Sequence, residues 1–427
     1  MKYILLFICG ITFSSTTLLS QNNQWKVYNT SNSGLPINNA QVIEQDLSGN
    51  IWIGTRGGLT KFDGTTWVSW TPLNSNIKDD MVTSIVFDGT TIWIGYAFLG
   101  MAKFDGITFT HYNLSAILNI PSYQGLGQVR GMDFDNNHNL WIATYNGLLK
   151  FDGINFTRYH TGNGLIGPNN RVWSVKCDRS TSNIVWVGTF DAGLLKFDGT
   201  NFTQYFFYDP SFPFLGGLQQ VNRIIFDQEG DIWVTGYGVI EFDRTTMQQK
   251  TVYTSNNGLG DPLVWGIAFD HTGKLWIGSD CLDGVFCLDN GTWITYNETN
   301  SGFPDDICYT VMNIHVDAFN NVWMAHSSKG IVVYNEAGNV GIDEGTRPKL
   351  ELNMFPNPAN DKIAFHKKTS EITKLEVFDY TGKLVKAAFN YKNENEVEMD
   401  ISALSSGIYI CKLISGSSVQ SGKFVKK

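Results

Sequence analysis

The residues best suited to binding chemistry are aromatic and cationic side chains at two places around a repeated tryptophan motif. One set directly follows each Trp-containing segment, and the other begins the segment before it. Flat aromatic rings stack on sugars or peptide groups, while nearby charged and polar groups fix the orientation of a ligand. The candidates for a ligand-binding surface are therefore Arg56, Tyr96, Arg130, Tyr145, Trp173, Arg223, Tyr237, Trp265 and His326.

Two tryptophans in this set depart from the usual residue type at their position. Trp173 and Trp265 occupy a place where other repeats carry the polar residues Gln41, Thr83 and Asn222. A large ring in an otherwise polar register favours contact with a ligand. The alternative for any single candidate is that it packs between neighbouring repeats.

Signatures of catalysis are weak in this sequence, and we assign no catalytic residue. It contains no Gly-x-Ser-x-Gly, His-Glu-x-x-His or paired Cys/His motif. An acid–base group in which His326, His315 and Asp280 converge is the arrangement that an enzyme would need. The alternative function is therefore a lyase or hydrolase that acts on extracellular polysaccharide.

One acidic turn has some resemblance to a calcium loop. The segment from Asp227 to Asp231 includes Glu229, but the other turns of this kind lack the Asp-x-Asp alternation of calcium-binding loops. Plain polar turns are the favoured explanation of these segments. We therefore expect neither a metal site nor a cofactor.

The candidates are positioned by an internal repeat. Its central tryptophans are separated by 41 to 48 residues: Trp52, Trp93, Trp141, Trp186, Trp233, Trp276 and Trp323. A period near 45 residues matches the four-stranded blade of a β-propeller, which has about 40–50 residues. The repeat therefore predicts seven blades.

Each repeat has four parts. A strand that ends in Asp is followed by the Trp strand, then by a Gly-led strand that ends in Phe-Asp-Gly, then by an alternating strand such as 66–70. The Asp-Gly pair predicts a tight hairpin in which both turn positions have positive φ. Asn290-Gly291 predicts the same turn in the sixth repeat.

The seventh repeat stops after Gly330-Ile-Val-Val-Tyr334 and lacks a fourth strand. Gln24-Trp-Lys-Val-Tyr28 near the N terminus has the pattern of that missing strand. The sequence therefore predicts an all-β fold, a seven-bladed β-propeller closed by its N-terminal strand, which protects an open edge. In a propeller, the candidate residues converge on one face.

The repeats resemble the two-component-regulator propeller repeat, which reads roughly Asn-x-Leu-Trp-Ile-Gly-Thr-x-x-Gly-Leu. The resemblance covers about residues 24–335. Members of that family are best known as periplasmic sensors of hybrid histidine kinases, often with two rings before a membrane helix. This chain has one ring, no transmembrane segment in the mature chain and no kinase, so the resemblance does not imply signalling.

The tail, residues 350–427, has short strands typical of a small β-sandwich. It resembles the C-terminal sorting domain of the type IX secretion system of Bacteroidetes. The motif residues are Pro356, Asn357, Pro358, Gly382, Gly407 and Tyr409. The resemblance implies that the secretion machinery is a partner and that the protein is secreted or held at the outer-membrane surface of a Gram-negative bacterium. The alternative is an ordinary adhesive β-sandwich.

Composition and the N terminus agree with export. The chain has 427 residues, 14% of them aromatic, and a net charge of −9, which excludes a nucleic-acid surface. Residues 1–20 have the layout of a signal peptide. The predicted organisation is a signal peptide (1–20), the propeller (21–335), a linker (336–349) and the sorting domain (350–427).

Export makes a disulfide possible. Cys281 and Cys308 fall at one blade junction on one face and form the expected pair, and Cys281–Cys287 is the alternative. Cys177 matches a core position, so we expect it to be a buried, inert thiol. The function expected from the whole sequence is an extracellular binding or interaction module for a glycan or a peptide.

Overall fold

The structure, a computed structural model, describes residues 24–117, 127–180, 184–206, 219–255, 257–259, 263–280, 284–304, 310–338, 352, 354–366, 374–379, 384–385, 388–391, 396–415 and 418–427. The chain divides into two compact units, Met1–Ile342 and Asp343–Lys427. Several predictions made from the sequence lie outside the described residues: the signal peptide, most of the linker, Gly382, and the pair Cys281 and Cys308.

The first unit consists of β-strands and, within the described ranges, one short helix, α1 (Leu114–Ile117). The expectation of an all-β chain is confirmed. The strands of this unit are β1 (Trp25–Tyr28), β2 (Ala40–Gln45), β3 (Ile51–Thr55), β4 (Gly58–Phe62), β5 (Trp67–Trp70), β6 (Val82–Asp88), β7 (Thr91–Tyr96), β8 (Met101–Phe104), β9 (Phe109–Tyr112), β10 (Val129–Phe134), β11 (Leu140–Thr144), β12 (Gly147–Phe151), β13 (Phe156–Tyr159), β14 (Val172–Asp178), β15 (Ile184–Thr189), β16 (Leu194–Phe197), β17 (Phe202–Tyr205), β18 (Arg223–Phe226), β19 (Ile232–Gly236), β20 (Gly238–Phe242), β21 (Gln249–Tyr253), β22 (Val264–Phe269), β23 (Leu275–Ser279), β24 (Val285–Asp289), β25 (Thr292–Tyr296), β26 (Val311–Val316), β27 (Val322–His326) and β28 (Gly330–Tyr334).

These strands form four-stranded antiparallel sheets, in which each strand pairs with the next one along the chain. We number the sheets from one (β2–β5) through two (β6–β9), three (β10–β13), four (β14–β17), five (β18–β21) and six (β22–β25) to seven (β26–β28 with β1). In sheet seven, β1 pairs with β28, so that Trp25 lies opposite Tyr334 and Tyr28 opposite Ile331. The first strand of each sheet contacts that of the next sheet, and β26 contacts β2.

The core of the first unit lies between successive sheets. Each neighbouring pair of sheets shares one hydrophobic cluster, and each cluster contains the repeated tryptophan of one of its two sheets. Sheets seven and one share such a cluster as well, with Tyr28, Trp323 and Ile53 among its members. The repeated tryptophan is therefore a packing residue, which explains why its spacing is so regular.

In five of the seven repeats the tryptophan also fixes the preceding turn. Its indole Nε1 donates to the aspartate that ends the first strand, at 2.8–3.1 Å. In these repeats the aspartate stands six residues before the tryptophan, as Asp135 does before Trp141. Where the spacing is five (Trp93) or eight (Trp186), the buried Nε1 has no partner among the described residues. Spacing in the sequence therefore decides whether the hydrogen bond forms.

The predicted turn type is wrong for the Asp-Gly hairpins. Positive φ occurs at the glycine, for example Gly64 at 98°, but not at the preceding aspartate. Asp63 instead accepts the backbone N–H groups of Thr65 and Thr66, at 2.9 and 2.8 Å, in an Asx turn. The sixth repeat differs, because both Asn290 (47°) and Gly291 (81°) have positive φ there.

The second unit consists of two four-stranded sheets around its own hydrophobic core. Their orders are β29-β30-β34-β33 and β32-β31-β35-β36. The strands are β29 (Met354–Phe355), β30 (Lys362–His366), β31 (Lys374–Asp379), β32 (Leu384–Val385), β33 (Ala388–Tyr391), β34 (Glu396–Asp400), β35 (Gly407–Ser415) and β36 (Ser418–Lys426).

The tail motif holds the last strand in place. The side-chain oxygen of Asn357 accepts the N–H of Val425 at 2.9 Å, and its amide nitrogen donates to the carbonyl of Lys423 at 2.8 Å. Tyr409 stacks on Phe424 and donates its hydroxyl to the carbonyl of Ser405 at 2.8 Å. These contacts tie the motif residues to β36, at the end of the chain.

Three cysteines among the described residues, Cys177, Cys287 and Cys411, are buried free thiols. Burial raises the pKa of Cys287 and of Cys411 to about 12, and raises that of Cys177 as well. Their thiolates are therefore scarce at neutral pH, and the thiols are inert. The free state of Cys287 contradicts the alternative pairing Cys281–Cys287.

Across the described part of the chain, no helix has the length and apolar character that crossing a bilayer requires.

Candidate functional site

A cavity of about 40 Å³ lies between the first strands of the sheets. Each of the seven sheets contributes one residue to its wall at the same register position, and Arg223 is the eighth lining residue. The seven are Gln41, Thr83, Arg130, Trp173, Asn222, Trp265 and Met312. Four residues predicted from the sequence as ligand-binding therefore share one cavity: Arg130, Trp173, Arg223 and Trp265.

A β-bulge directs most of these side chains toward the cavity. In six of the seven first strands the pairing register shifts by one residue, and the unpaired residue is the one that lines the cavity. Arg130, for example, lies between the paired residues Val129 and Gly131. A bulge turns a side chain away from the sheet, and bulges are common at functional sites. In sheet five, Asn222 precedes the strand instead.

Arg130 and Trp173 form the centre of an aromatic and cationic stack. The guanidinium carbon of Arg130 lies 3.7 Å from the centroid of the Trp173 ring and 5.2 Å from that of Tyr145. Trp265 contacts Trp173 with ring centroids 5.5 Å apart. Phe190 stacks on Trp173 at 5.8 Å. A cation against a ring face is stabilised by about 0.5–2 kcal/mol, so the stack fixes the arginine in position.

Arg223 enters the cavity from a different register. Its backbone pairs with Thr235, at the level where the other first strands place Val42, Ser84, Gly131, Ser174, Gly266 and Asn313. Most of these residues are small. A long cationic side chain in this position brings a second positive charge into the space between the strands.

The hydrogen-bonding groups of the lining fall into two classes. The amide and hydroxyl side chains donate to other groups: Thr83 to the carbonyl of Val129 at 2.6 Å, and Asn222 to that of Val264 at 2.8 Å. In contrast, Arg130 Nε, Trp173 Nε1 and Trp265 Nε1 are buried atoms without a partner among the described residues. All three are N–H donors.

The two guanidinium groups are also poorly compensated in charge. No salt bridge to Arg130 or Arg223 occurs among the residues that the structure describes. Burial lowers the pKa of Arg130 from its ordinary value; the Tyr145 hydroxyl opposes this shift and the charge of Arg223 adds to it. Burial also lowers the pKa of Arg223, and Glu44 opposes that shift. The cavity is therefore electropositive.

The remaining predicted site residues lie apart from the cavity lining. Tyr145 contacts Arg130 from outside it, Arg56 is exposed, and Tyr237 is half-buried at an isolated bridge to Leu263. Tyr96 is fully buried, and burial raises the pKa of its hydroxyl. Tyr96 therefore fills space between sheets one and two rather than facing a ligand.

His326 is also buried, at 1% exposure, and caps a turn. Its Nδ1 accepts the backbone N–H groups of Ser328 and Lys329, both at 3.2 Å. Thr55 and Thr144 perform the same task at the same position in sheets one and three, where their hydroxyls accept an N–H two residues later. Reasoning from the sequence missed this capping role, because His replaces Thr at that position.

The acidic turn at Asp227 brings carboxylates together, but a lysine forms ion pairs with two of them. Single oxygens of Asp227, Asp231 and Glu241 lie within 4.8 Å of one another. Lys250 Nζ contacts Asp231 at 2.5 Å and Glu241 at 2.6 Å, and Trp233 donates to Asp227. The cluster is an internal ion pair rather than an open set of ligands.

Met312 is a lining residue that reasoning from the sequence missed. It occupies the bulge position of sheet seven, equivalent to Arg130. Counting from the repeated tryptophan finds it: Gln41 and Met312 both precede their tryptophan by 11 residues. The residue type concealed it, since methionine in a strand is usually a core residue.

Comparison with known proteins identifies the tail. Residues 353–427 match the family model described as the secretion system C-terminal sorting domain. The predicted type IX sorting tail is thereby confirmed, and with it export to the cell surface or the medium, as in Bacteroidetes. The tail implies an interaction with the secretion machinery. No curated protein sequence matches the chain.

Two solved structures with a similar fold are extracellular domains of putative two-component-system proteins of B. thetaiotaomicron. One is 19% identical over 93% of this chain and 54% of its own length, with a TM-score of 0.59. The other is 20% identical over 82% of this chain and 45% of its own, with a TM-score of 0.58. The chain thus spans about half the length of these neighbours, and the likeness confirms β-propeller repeats.

A virginiamycin B lyase from Staphylococcus aureus, solved with quinupristin, is also similar. It is 12% identical over 72% of this chain and 98% of its own length, with a TM-score of 0.57. At such low identity the likeness extends to the fold alone.

Proposed function

We propose that the exported chain is an extracellular binding module, a seven-bladed β-propeller closed by its N-terminal strand. Its ligand, a glycan or a peptide, binds at the cavity between the first strands. Tyr145 and Phe190 extend the binding surface outward from that cavity.

Three contacts support the closure. The N-terminal strand β1 pairs along its whole length with β28. Sheets seven and one share a hydrophobic cluster, as each other neighbouring pair of sheets does. The Asn313 side chain accepts the N–H of Ile43 at 2.9 Å, which joins β26 to β2. Together these contacts support a seventh blade built from both ends of the unit.

The observation that carries the binding proposal is the seven-membered layer of cavity residues. Bulges set six of the seven apart from the ladder, and large aromatic and cationic side chains occur at positions where a purely structural layer needs only small or polar ones. Rigid scaffolds that present such residues at one place are typical of ligand sites.

The enzyme alternative has less support at this cavity. Among the described lining residues there is no carboxylate and no imidazole to act as a general acid or base. The hydroxyl of Thr83 is engaged with a backbone carbonyl. A lyase or hydrolase acting here needs groups that this lining does not offer.

A screen of the full chain on glycan and peptide arrays, with a product assay on each ligand found, tests the proposal. We expect binding without turnover, and we expect Trp173→Ala to weaken it at least tenfold. Trp70→Ala is the matched control, because Trp70 is also half-buried but lies on the fourth strand of sheet one and does not line the cavity. Equal losses in both variants, or turnover of the ligand, contradict the proposal.

A further inference from the structure

The cavity contains more hydrogen-bond donors than acceptors. Its unpartnered buried atoms are Arg130 Nε, Trp173 Nε1 and Trp265 Nε1, and each of them only donates. Arg223 adds a second guanidinium at the same place. Buried polar groups are almost always hydrogen-bonded in folded proteins, so three orphaned donors at one cavity require an explanation.

We propose that this cavity binds one oxyanion, the carboxylate or sulfate group of an acidic glycan. The inference rests on the proposed function and narrows its ligand to one chemical class. An oxyanion supplies several lone pairs to the three N–H groups and neutralises two guanidinium charges that form no salt bridge with any described residue, although Glu44 acts on the charge of Arg223. Arginine is well suited to this task, because its planar fork matches carboxylate geometry.

The nearby acids within the described residues are engaged elsewhere. Glu44 faces His315 at 3.6 Å, between the carboxylate and the imidazole Nδ1. Asp133 accepts from Arg179 at 2.6 Å and lies 3.6 Å from Lys176. Neither forms a salt bridge with Arg130 or Arg223, so the positive charge is left for a ligand.

The size of the cavity limits what enters it. A volume of about 40 Å³ has room for roughly three water-sized groups, since one water needs about 10–15 Å³ by this measure. A carboxylate, with three heavy atoms, is of that size, whereas a sugar ring is larger. The charged group therefore occupies the cavity, and the rest of the ligand lies outside it against Tyr145.

The rings beside the cavity favour a glycan as the carrier of this oxyanion. Tyr145 and Phe190 border the stack of Arg130 and Trp173, and flat ring faces stack on sugars. Sugar hydroxyls both donate and accept hydrogen bonds, so they also suit the amide and hydroxyl groups of the lining. An acidic peptide is the alternative that the experiment below distinguishes.

Calorimetric titration of the full chain with a glucuronic acid oligomer and a glucose oligomer of equal length and linkage tests the inference. We expect the acidic oligomer to bind at least tenfold more tightly, and its affinity to fall with rising salt. Arg130→Gln and Arg223→Gln should each weaken it at least tenfold. Lys61→Gln is the control: it removes a cation that faces the Trp52 ring at 5.7 Å on the third strand of sheet one and does not line the cavity, and it should leave affinity within about twofold.

Thermal melting tests whether a free anion or a glycan supplies the oxyanion. The melting temperature in sodium sulfate or sodium acetate is compared with that in sodium chloride of equal ionic strength. Stabilisation that is lost in Arg130→Gln, together with binding of the acidic oligomer, supports the proposal. Stabilisation by free anions without binding of any glycan overturns the glycan as source, and so does tighter binding of an acidic peptide. The comparison of oligomers uses the native chain, so it holds even if a variant misfolds.

Equal binding of the two oligomers overturns the inference while the proposed binding function stands. If neither oligomer binds and no anion stabilises the chain, the inference also fails. Only the array screen then decides whether the chain is a binding module at all.

Discussion

A single hydrogen bond divides the repeated tryptophans into two kinds. Trp141 donates to Asp135 at 2.9 Å, whereas the buried Nε1 of Trp93 has no partner among the described residues. We expect Trp141→Phe to destabilise the protein by about 1.5–3 kcal/mol more than Trp93→Phe, because a hydrogen bond to a charged group has that value. Both changes remove the same ring area. Urea unfolding followed by fluorescence measures the difference, and equal losses contradict this role for the indole.

The hydrogen bond between Trp141 and Asp135 also makes the free energy of unfolding depend on pH. Burial alone raises the pKa of Asp135, but hydrogen bonds from Trp141, Asn139 and the backbone outweigh it, and the pKa is lowered overall. A lowered folded-state pKa contributes stability above the unfolded-state pKa of about 3.9, and this contribution is lost as pH falls through the folded value. We expect Asp135→Asn to flatten the decline of unfolding free energy below about pH 4. Urea unfolding at a series of pH values measures this, and an unchanged slope in Asp135→Asn contradicts the prediction.

At the residue scale the sequence predicted part of the site for a physical reason. Trp173, Trp265 and Arg130 each stand five residues before the aspartate that ends their first strand, so counting back from that aspartate places them in one register. It did not predict that Tyr96 and His326 are buried. Those two are the last residues of their second strands, where packing against the next sheet determines exposure, and that packing depends on residues distant in the chain.

At the scale of elements, the pairing of β1 with β28 depends on a glycine. Gly330 has φ of 91°, and a Cβ there would lie 2.2 Å from the carbonyl oxygen of Tyr28. Gly153 has a similar φ of 96° with nothing within 4 Å. We therefore expect Gly153→Ala to cost about 1–2 kcal/mol from backbone strain, and Gly330→Ala to cost about 1–3 kcal/mol more through the clash.

Denaturant unfolding of the two glycine variants, read against the native chain, measures that excess. Removal of residues 21–30 gives a second measurement, because it exposes the edge of β28, and we expect aggregation. Equal losses in the two glycine variants, or an unchanged melting temperature after the deletion, contradict closure by the N-terminal strand.

The elements were predicted better than their connections. Alternation of apolar residues along a strand is a local property, so the order of strands within a repeat followed from it. The conformation of the Asp-Gly turns did not follow from the sequence. An aspartate side chain that accepts two backbone N–H groups stabilises the turn without a positive φ at the aspartate.

At the scale of the whole molecule, the chain combines a propeller with a sorting tail. The tail has its own core, which includes Phe365, Tyr409 and Phe424. We expect a chain that lacks residues 350–427 to retain a folded propeller and to remain in the periplasm. Surface labelling and fractionation of cells that express the two forms measure this. Efficient surface delivery of the shortened chain contradicts the sorting role.

Because of the bulges in the first strands, six of the residues that line the cavity are not residues that pair the strands. In most proteins the same residues serve both purposes. A side chain at a bulge has no partner across the ladder, so its replacement leaves every cross-strand pair intact. Duplicated repeats can therefore diverge at these six positions without losing their shared architecture. Changing one of these side chains at a time alters the chemistry of the cavity wall, and a laboratory library randomised at the same positions explores that chemistry directly.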